Sequence, residues 1–275
     1  MSELALTLHE KELFLERVWS YYRQYGRHDL PWRIPQKDGS FDPYSILVSE
    51  LMLQQTQVVR VIPKYKTFLA RFPTPGALAA ATLGEVLVQW QGLGYNRRAK
   101  FLWQTAKLIS ERGDFPTSLT ELLKLPGVGV NTAGAIQAYA FNQPAIFIET
   151  NIRTVYIHHF LQHAEAIPDG VIRHLLEQTL DTDQPREFYW ALMDYGAWLK
   201  TSVRTNSQSK HYTRQAKFEG SKRQIRGQII RALTVQSMSR VQLSVLIPDS
   251  RLNGVLRELE AEDLIVKKRT KYCLY

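Results

Sequence analysis

Two glutamates and one glycine-rich turn carry the residue types from which chemistry could be built. Glu50 lies in "SILVSELMLQQ", where helical spacing sets Ile46, Leu47, Leu53 and Gln54 three and four positions away. A carboxyl on this partly apolar face is desolvated, which favours its protonated form and suits a general acid near neutral pH. The same placement also serves a buried structural ion pair. Glu149 ends the apolar run of "AIFIET" and stands immediately before a predicted helix, with Thr150 or Asn151 as the cap. A helix N-terminus favours an ionised carboxylate. A fixed negative charge there can stabilise positive charge that develops in a transition state, which is how glycosidases divide work between two acids. A plain helix-capping acid also accounts for it.

The third feature is "LPGVGVNTAGAI", residues 125–136, between the predicted helices "SLTELLKL" and "NTAGAIQAYAF". Gly127 and Gly129 permit unusual dihedrals and close approach of another backbone. The helix that follows offers free N–H groups and a partial positive charge, so the pair of features makes a phosphate seat without a lysine. A tight helix–helix turn needs the same residues.

The elements that must hold these residues are mainly helices. "LHEKELFLERVWSYYRQYG" has helical spacing of apolar residues and stops at Gly26. "PYSILVSELMLQQTQVVRVI" predicts one helix beginning near Pro43. "TLGEVLVQWQG", "NRRAKFLWQTAKLISERG", "NIRTVYIHHFLQH", "GVIRHLLEQTL" and "PREFYWALMDYGAWLK" add further helices. Little before residue 200 reads as strand, and no solenoid repeat is present. Residues 201–222, "TSVRTNSQSKHYTRQAKFEGSK", are a basic linker by composition. Beyond it come the helices "RQIRGQIIRALT" and "SRVQLSVLI". A third, in "PDSRLNGVLRELEAEDL", is capped by Asp249 or Ser250 and sets Leu252, Val255, Leu256 and Leu259 on one face. The strand-like "IVKKRTKYCLY" closes the chain. This is the order of a winged helix–turn–helix, and the basic "KKRTK" favours DNA over a protein partner.

Charge agrees with that reading. The chain has 275 residues and a net charge of +9. Residues 201–275 hold 15 Lys+Arg against 6 Asp+Glu, and residues 1–200 the remaining 20 against 20. The whole excess therefore lies in the last quarter, which points to a polyanion such as nucleic acid. The single cysteine, Cys273, excludes a disulfide framework, a cysteine-only zinc site and a cysteine-bound iron–sulfur cluster. No cofactor is expected. The sequence has no cleavable signal pattern and no apolar run of the ~20 residues a membrane span needs. The expectation is a cytoplasmic monomer, nucleoid-associated in a bacterium, with no membrane partner.

"LPGVGVNTAGAI" followed by "IETNIRTV" resembles the helix–hairpin–helix DNA glycosylases, the superfamily of endonuclease III and the adenine glycosylases. The resemblance extends over roughly residues 12–200, through "DLPWR", "PYSILVSELMLQQTQVVRVIPKYKTFLARFP", "QWQGLGYNRRAKFL" and "FYWALMDYGAW". "SELMLQQTQV" and "GLGYNRRA" are most similar to the MutY-type adenine glycosylases. It implies a mainly α, two-lobed helix–hairpin–helix body at 1–200, followed by the linker at 201–222 and a winged-helix-like DNA-binding domain at 223–275. It also implies removal of a mispaired base, adenine first, from double-stranded DNA. Deaminated bases, thymine or uracil opposite guanine, and DNA binding without catalysis on the same fold are the alternatives.

The resemblance assigns roles residue by residue. Glu50 falls on the acid that protonates the departing base. Glu149 falls where the family carries an aspartate, and its extra methylene extends the carboxylate by ~1.5 Å. Asn131 stands where bifunctional relatives place a Schiff-base lysine, so strand cleavage is not expected. Gln55 and Tyr95 match residues that fill the gap left by a flipped base, and Gly127, Gly129 and Asn131 match the DNA-binding hairpin. Asn151 would support the second carboxylate, and Trp32 and Arg33 match a pocket wall. Trp190 stands where adenine-specific relatives have an acid; it would stack on a flipped base or pack in the core. Relatives often bind an iron–sulfur cluster where this chain has its basic linker, and often add a C-terminal domain that inspects 8-oxoguanine, where this chain has the winged-helix-like segment.

Overall fold

Helix α1 (Leu8–Tyr25) starts at a capping box between Thr7 and Glu10 and buries Phe14, Val18 and Tyr22, spaced one helical turn apart. It stops at Gly26, where a Cβ would lie 2.5 Å from the Tyr22 carbonyl oxygen. The structure is a computed structural model, and it describes residues 5–203, 208–211 and 217–275.

The single helix predicted from Pro43 is two helices, α2 (Pro43–Leu53) and α3 (Val58–Arg71). The break falls at Gln55, whose φ of 56° lies in the left-handed region that no helix continues through. Next come α4 (Pro75–Ala79), α5 (Leu83–Trp90) and α6 (Arg97–Arg112). The hairpin pair follows as a single turn, α7 (Leu119–Leu122), and α8 (Val130–Phe141). Then α9 (Thr150–Phe160), α10 (Asp169–Thr179) and α11 (Pro185–Ser202) complete the expected helical body.

The C-terminal segment folds as α12 (Lys222–Val235), β1 (Met238–Ser239), α13 (Arg240–Leu246), α14 (Leu252–Ala261), β2 (Ile265–Lys268) and β3 (Lys271–Leu274). The strand-like close is a hairpin. Its β3 lies between β2 and the two-residue β1, antiparallel to both. Leu252, Val255, Leu256 and Leu259 of α14 are buried, as their spacing predicts. The expected cap is displaced: Arg251 is the N-cap, without a side-chain cap bond, and Asp249 accepts from the Arg251 backbone N–H at 2.9 Å.

The chain divides into two compact units. One holds Met1–Ile46, Thr117–Leu123 and Val128–Arg214, the other Leu47–Pro116, Lys124–Gly127 and Gln215–Tyr275. In the first, α11 packs on α9 and α1. The closest approach is at Gly196, where a Cβ would sit 2.3 Å from the Asn151 carbonyl oxygen, so only glycine fits. In the second, α4 and α5 pack on α6, and α12 packs on α5. The residues expected as a separate domain after 222 thus share a compact unit with α3 to α6. Of the expected linker, Ile167 pairs with Gln208 and Lys210 through two backbone hydrogen bonds of 2.9 and 3.0 Å. Residues 204–207 and 212–216 lie outside the described residues.

Candidate active site

Glu50 is half-buried near the C-terminal end of α2, among the fully buried Ile46, Leu47, Leu51 and Met52. That end is organised by a residue whose role the sequence did not reveal, Arg98. The residue is 7% exposed, and its guanidinium has no carboxylate partner among the described residues. It donates instead to the carbonyls of Leu51 (2.7 Å), Met52 (3.0 Å) and Gln54 (2.5 Å), and to the Thr56 hydroxyl (3.1 Å). Two further bonds reach the Leu93 and Gly94 carbonyls at 3.2 and 3.1 Å. Burial lowers its pKa to about 10. A helix C-terminus presents partial negative charge and unpaired carbonyls, which is the partner this cation takes.

The two loops held by Arg98 carry Gln55 and Tyr95. Both are exposed, with φ of 56° and 47°. Left-handed backbone at a non-glycine residue costs ~1–3 kcal/mol and concentrates at functional sites. The Tyr95 hydroxyl accepts from Arg223 of α12 at 2.8 Å. Gly127 lies in the same unit with φ of 77°, and a Cβ there would come within 2.7 Å of Phe101. The Pro126 carbonyl accepts from Thr105 at 2.9 Å, which fixes the glycine turn to α6.

In the other unit Gly129 is the N-cap of α8, with open space where a Cβ would stand and no side-chain cap. Asn131, in the first turn of α8, bonds Ile148 twice: its amide donates to the carbonyl at 3.0 Å and its oxygen accepts from the N–H at 3.3 Å. Asn131, expected to bind DNA and to stand in place of an amine, therefore braces the backbone immediately before Glu149.

Glu149 is half-buried and is itself the N-cap of α9. Neither Thr150 nor Asn151 caps that helix. The expected ionising effect of the helix end is outweighed. Burial raises the Glu149 pKa, while Arg153, Lys200 and the Thr150 backbone N–H oppose the rise. Arg153 is held by Asp169 through bonds of 2.7 and 2.6 Å. The Asn151 amide, expected beside the carboxylate, donates to the Met193 Sδ at 3.9 Å.

Trp32 and Arg33 form a buried 3-10 turn. Arg33 meets Asp194 in a two-pronged pair of 2.7 and 3.0 Å, and the Arg27 backbone and side chain reach the same carboxylate at 2.8 and 2.7 Å. Burial pushes the Asp194 carboxyl up, but Arg33 and Arg27 outweigh it and hold it below the ordinary range. Asp194 was not anticipated; its place in "MDYGAW", four residues after Trp190, was the available signal. Trp190 itself is packed in the core. It stacks on Tyr139 at 5.9 Å, meets Phe41 edge-on at 5.5 Å, and lies 5.2 Å from the Arg33 guanidinium.

The donor set does not fit the iron–sulfur cluster of relatives. The one cysteine, Cys273, is on β3 with its thiol on the Val266 carbonyl. Among the described residues no three His, Cys, Asp or Glu side chains are grouped to hold a metal ion. No described helix is long and apolar enough to cross a membrane.

Residues 48–179 match the HhH-GPD superfamily of base excision DNA repair proteins. The chain is 34% identical to an adenine DNA glycosylase of Mycolicibacterium smegmatis over 252 residues, covering 82% of this chain and 83% of the relative. It is 38% identical to the adenine DNA glycosylase of Buchnera aphidicola (subspecies Baizongia pistaciae) over 202 residues, 70% of this chain and 55% of the relative, so it spans about half that protein's length. A thermostable thymine-DNA glycosylase superposes with a TM-score of 0.59 at 24% identity, covering 69% of this chain and 87% of that one, and shares the fold. The chain belongs to the helix–hairpin–helix superfamily of base excision DNA repair proteins, among its adenine DNA glycosylase-like members.

Proposed function

We propose that the protein is a monofunctional DNA glycosylase that removes mispaired adenine from duplex DNA and works as a monomer. The similarity to an adenine DNA glycosylase along 83% of that relative carries the reading. A base inside a duplex must be extruded before its glycosidic bond is reached. Glu50 gives a proton to a ring nitrogen of the base, and the C1′–N bond breaks with its electron pair leaving on the base. The ionised Glu149 carboxylate stabilises the sugar cation, and water adds at C1′ and releases a proton. Asn131, whose amide is committed to Ile148, offers no amine for a Schiff base, so the strand stays intact. Asn151 reaches the second carboxylate only if it leaves Met193. Trp32 and Arg33 wall the pocket.

DNA is held at the α8 N-terminus beside Gly129, at Gly127, and at the loops of Gln55 and Tyr95. Residues 223–275 act as a winged-helix-like DNA-binding domain through Lys267, Lys268, Arg269 and Lys271, all exposed on the β2–β3 hairpin. A panel of mispaired and damaged duplexes, read on gels with and without alkali, tests the proposal. The expected result is cleavage of adenine mispairs that appears only after alkali and no borohydride trapping. Efficient trapping, or equal nicking at neutral pH, overturns the monofunctional reading. A second reading, excision of thymine or uracil opposite guanine, is favoured by Trp190, a core-packed ring in place of a base-contacting acid; the same panel contains those pairs. Binding without excision of any base points to a non-catalytic protein.

A further inference from the structure

Arg98, three residues beyond Tyr95, and Arg223, 128 residues beyond it, converge on Tyr95. Arg98 bonds the carbonyls of Gln54 and Gly94, which are the residues immediately before Gln55 and Tyr95. One planar, five-donor group therefore fixes both loops at once, and its guanidinium also lies 5.4 Å from the Tyr95 ring centroid. Arg223 donates to the Tyr95 hydroxyl, and its own guanidinium lies 5.5 Å from the ring. Arg223 is itself held in place. The C-terminal segment is tied to α5 and α6 by Lys100 with Asp263 (2.9 Å) and the Glu262 carbonyl (2.7 Å), by Gln91 with Thr234 (2.5 Å), and by the Gly84 N–H with the Tyr275 carbonyl (3.2 Å).

We propose that Arg98 and Arg223 are positioning residues for Tyr95 and Gln55, so that the docked C-terminal segment sets how well the protein supports an extruded base. This rests on the reading of Tyr95 and Gln55 as residues that fill the gap in the duplex. Arg98 fixes the backbone of both loops, and Arg223 fixes the ring of Tyr95 through its hydroxyl. Arg98 acts whether or not the C-terminal segment is present, whereas Arg223 makes extrusion answer to it.

The test uses the full chain and duplexes with 2-aminopurine beside or at the target position, whose fluorescence rises on unstacking and needs no cleavage. Arg223→Ala and Tyr95→Phe each remove one partner of the same bond, so each is expected to lower the fluorescence gain and the single-turnover rate by up to about tenfold. The double variant is expected to be no worse than either single one. Arg98→Lys keeps a charge but cannot span both loops, and is expected to cost about 10²-fold. All three defects should shrink when the target base faces an abasic site and is already unpaired. A merely structural role would lower stability and leave the defect unchanged on that substrate, so melting curves accompany each variant. Additive effects of Arg223→Ala and Tyr95→Phe, or a native fluorescence gain in Arg223→Ala, overturn the proposal. So does native protein that produces no gain. Cleavage on the same duplexes judges the glycosylase reading separately. Arg98 is buried, so the pair at Tyr95, which is exposed, carries the decisive result.

Discussion

Glu50 and Glu149 are the same side chain in opposite local settings. Glu50 lies within α2, half-buried among apolar neighbours. Glu149 ends the run before α9, beside the Thr150 N–H, with Arg153 and Lys200 near enough to oppose the burial that raises its pKa. In the proposed mechanism this difference gives one residue type two tasks, acid at Glu50 and anion at Glu149. At Glu149 burial prevails over the helix N-terminus and the two cations, and the pKa is raised.

The sharpest way to break this comparison is to make Glu50 unable to donate. Glu50→Gln keeps the shape and removes the proton. Single-turnover excision should fall by ~10²–10⁴, with duplex affinity nearly unchanged in a gel-shift titration. Full activity would remove the general acid and most of the mechanism.

Glu149→Gln should cost somewhat less, ~10²–10³ in the same assay, as loss of one fixed charge facing a developing cation does. It carries a second, opposite signature. The folded-state pKa of Glu149 lies above its unfolded value. The native state therefore binds the proton more tightly, and stability is lost as pH rises from the unfolded pKa through the folded one. At neutral pH the charged form is a net cost, and Glu149→Gln should melt higher than the parent. The gap should close as pH falls below the ordinary carboxylate range. A variant that melts lower at neutral pH would mean that the cations more than offset the burial.

This second signature also marks the limit of what sequence could reveal. Patterning located α1, α8, α9, α11 and the four buried positions of α14, because amphipathic spacing and capping are local. It placed Glu149 directly before a helix for the same reason. The sign of the Glu149 shift was not legible, since burial arises from packing of distant segments. The break at Gln55 was hidden because "LMLQQTQVVRV" keeps helical spacing straight through it; the carbonyls freed there are taken by Arg98, 43 positions further on. Asp194 and Arg33 lie 161 residues apart and meet only in the fold. Asn131 was read as a DNA contact in place of an amine, and its pair of bonds to Ile148 was not legible in the sequence.

A smaller effect sharpens the electrostatic half of the comparison. Lys200 opposes the rise in the Glu149 pKa, and Glu149 in turn supports the charge on Lys200, which burial lowers. In Lys200→Met the Glu149 pKa should rise further. The proposed mechanism uses the anion, so the acid limb of a kcat/KM profile should move to higher pH. The plateau rate at high pH should stay near native. A limb that does not move would mean that Lys200 is too well solvated to act on Glu149.

The smallest change asks whether the site is fitted to glutamate. Glu149→Asp keeps the charge and withdraws the carboxylate by ~1.5 Å. Two observations bear on the outcome. Asn131 clamps both backbone groups of Ile148, so the chain entering Glu149 has little freedom to follow a shortened side chain. Asn151 is locked on the far side, where its carbonyl meets Gly196 with no room for a Cβ. With the backbone held on both sides, the side chain alone must absorb the change. Single-turnover excision by Glu149→Asp should therefore drop, by about tenfold rather than the larger loss of Glu149→Gln, because charge is kept and only distance is lost. The pH profile should shift to lower pH, since aspartate starts from a lower reference pKa and stands closer to the helix N-terminus. A rate equal to or above native would instead mean that the clamp seats the carboxylate for the shorter acid, and that glutamate at 149 is the compromised member of the pair.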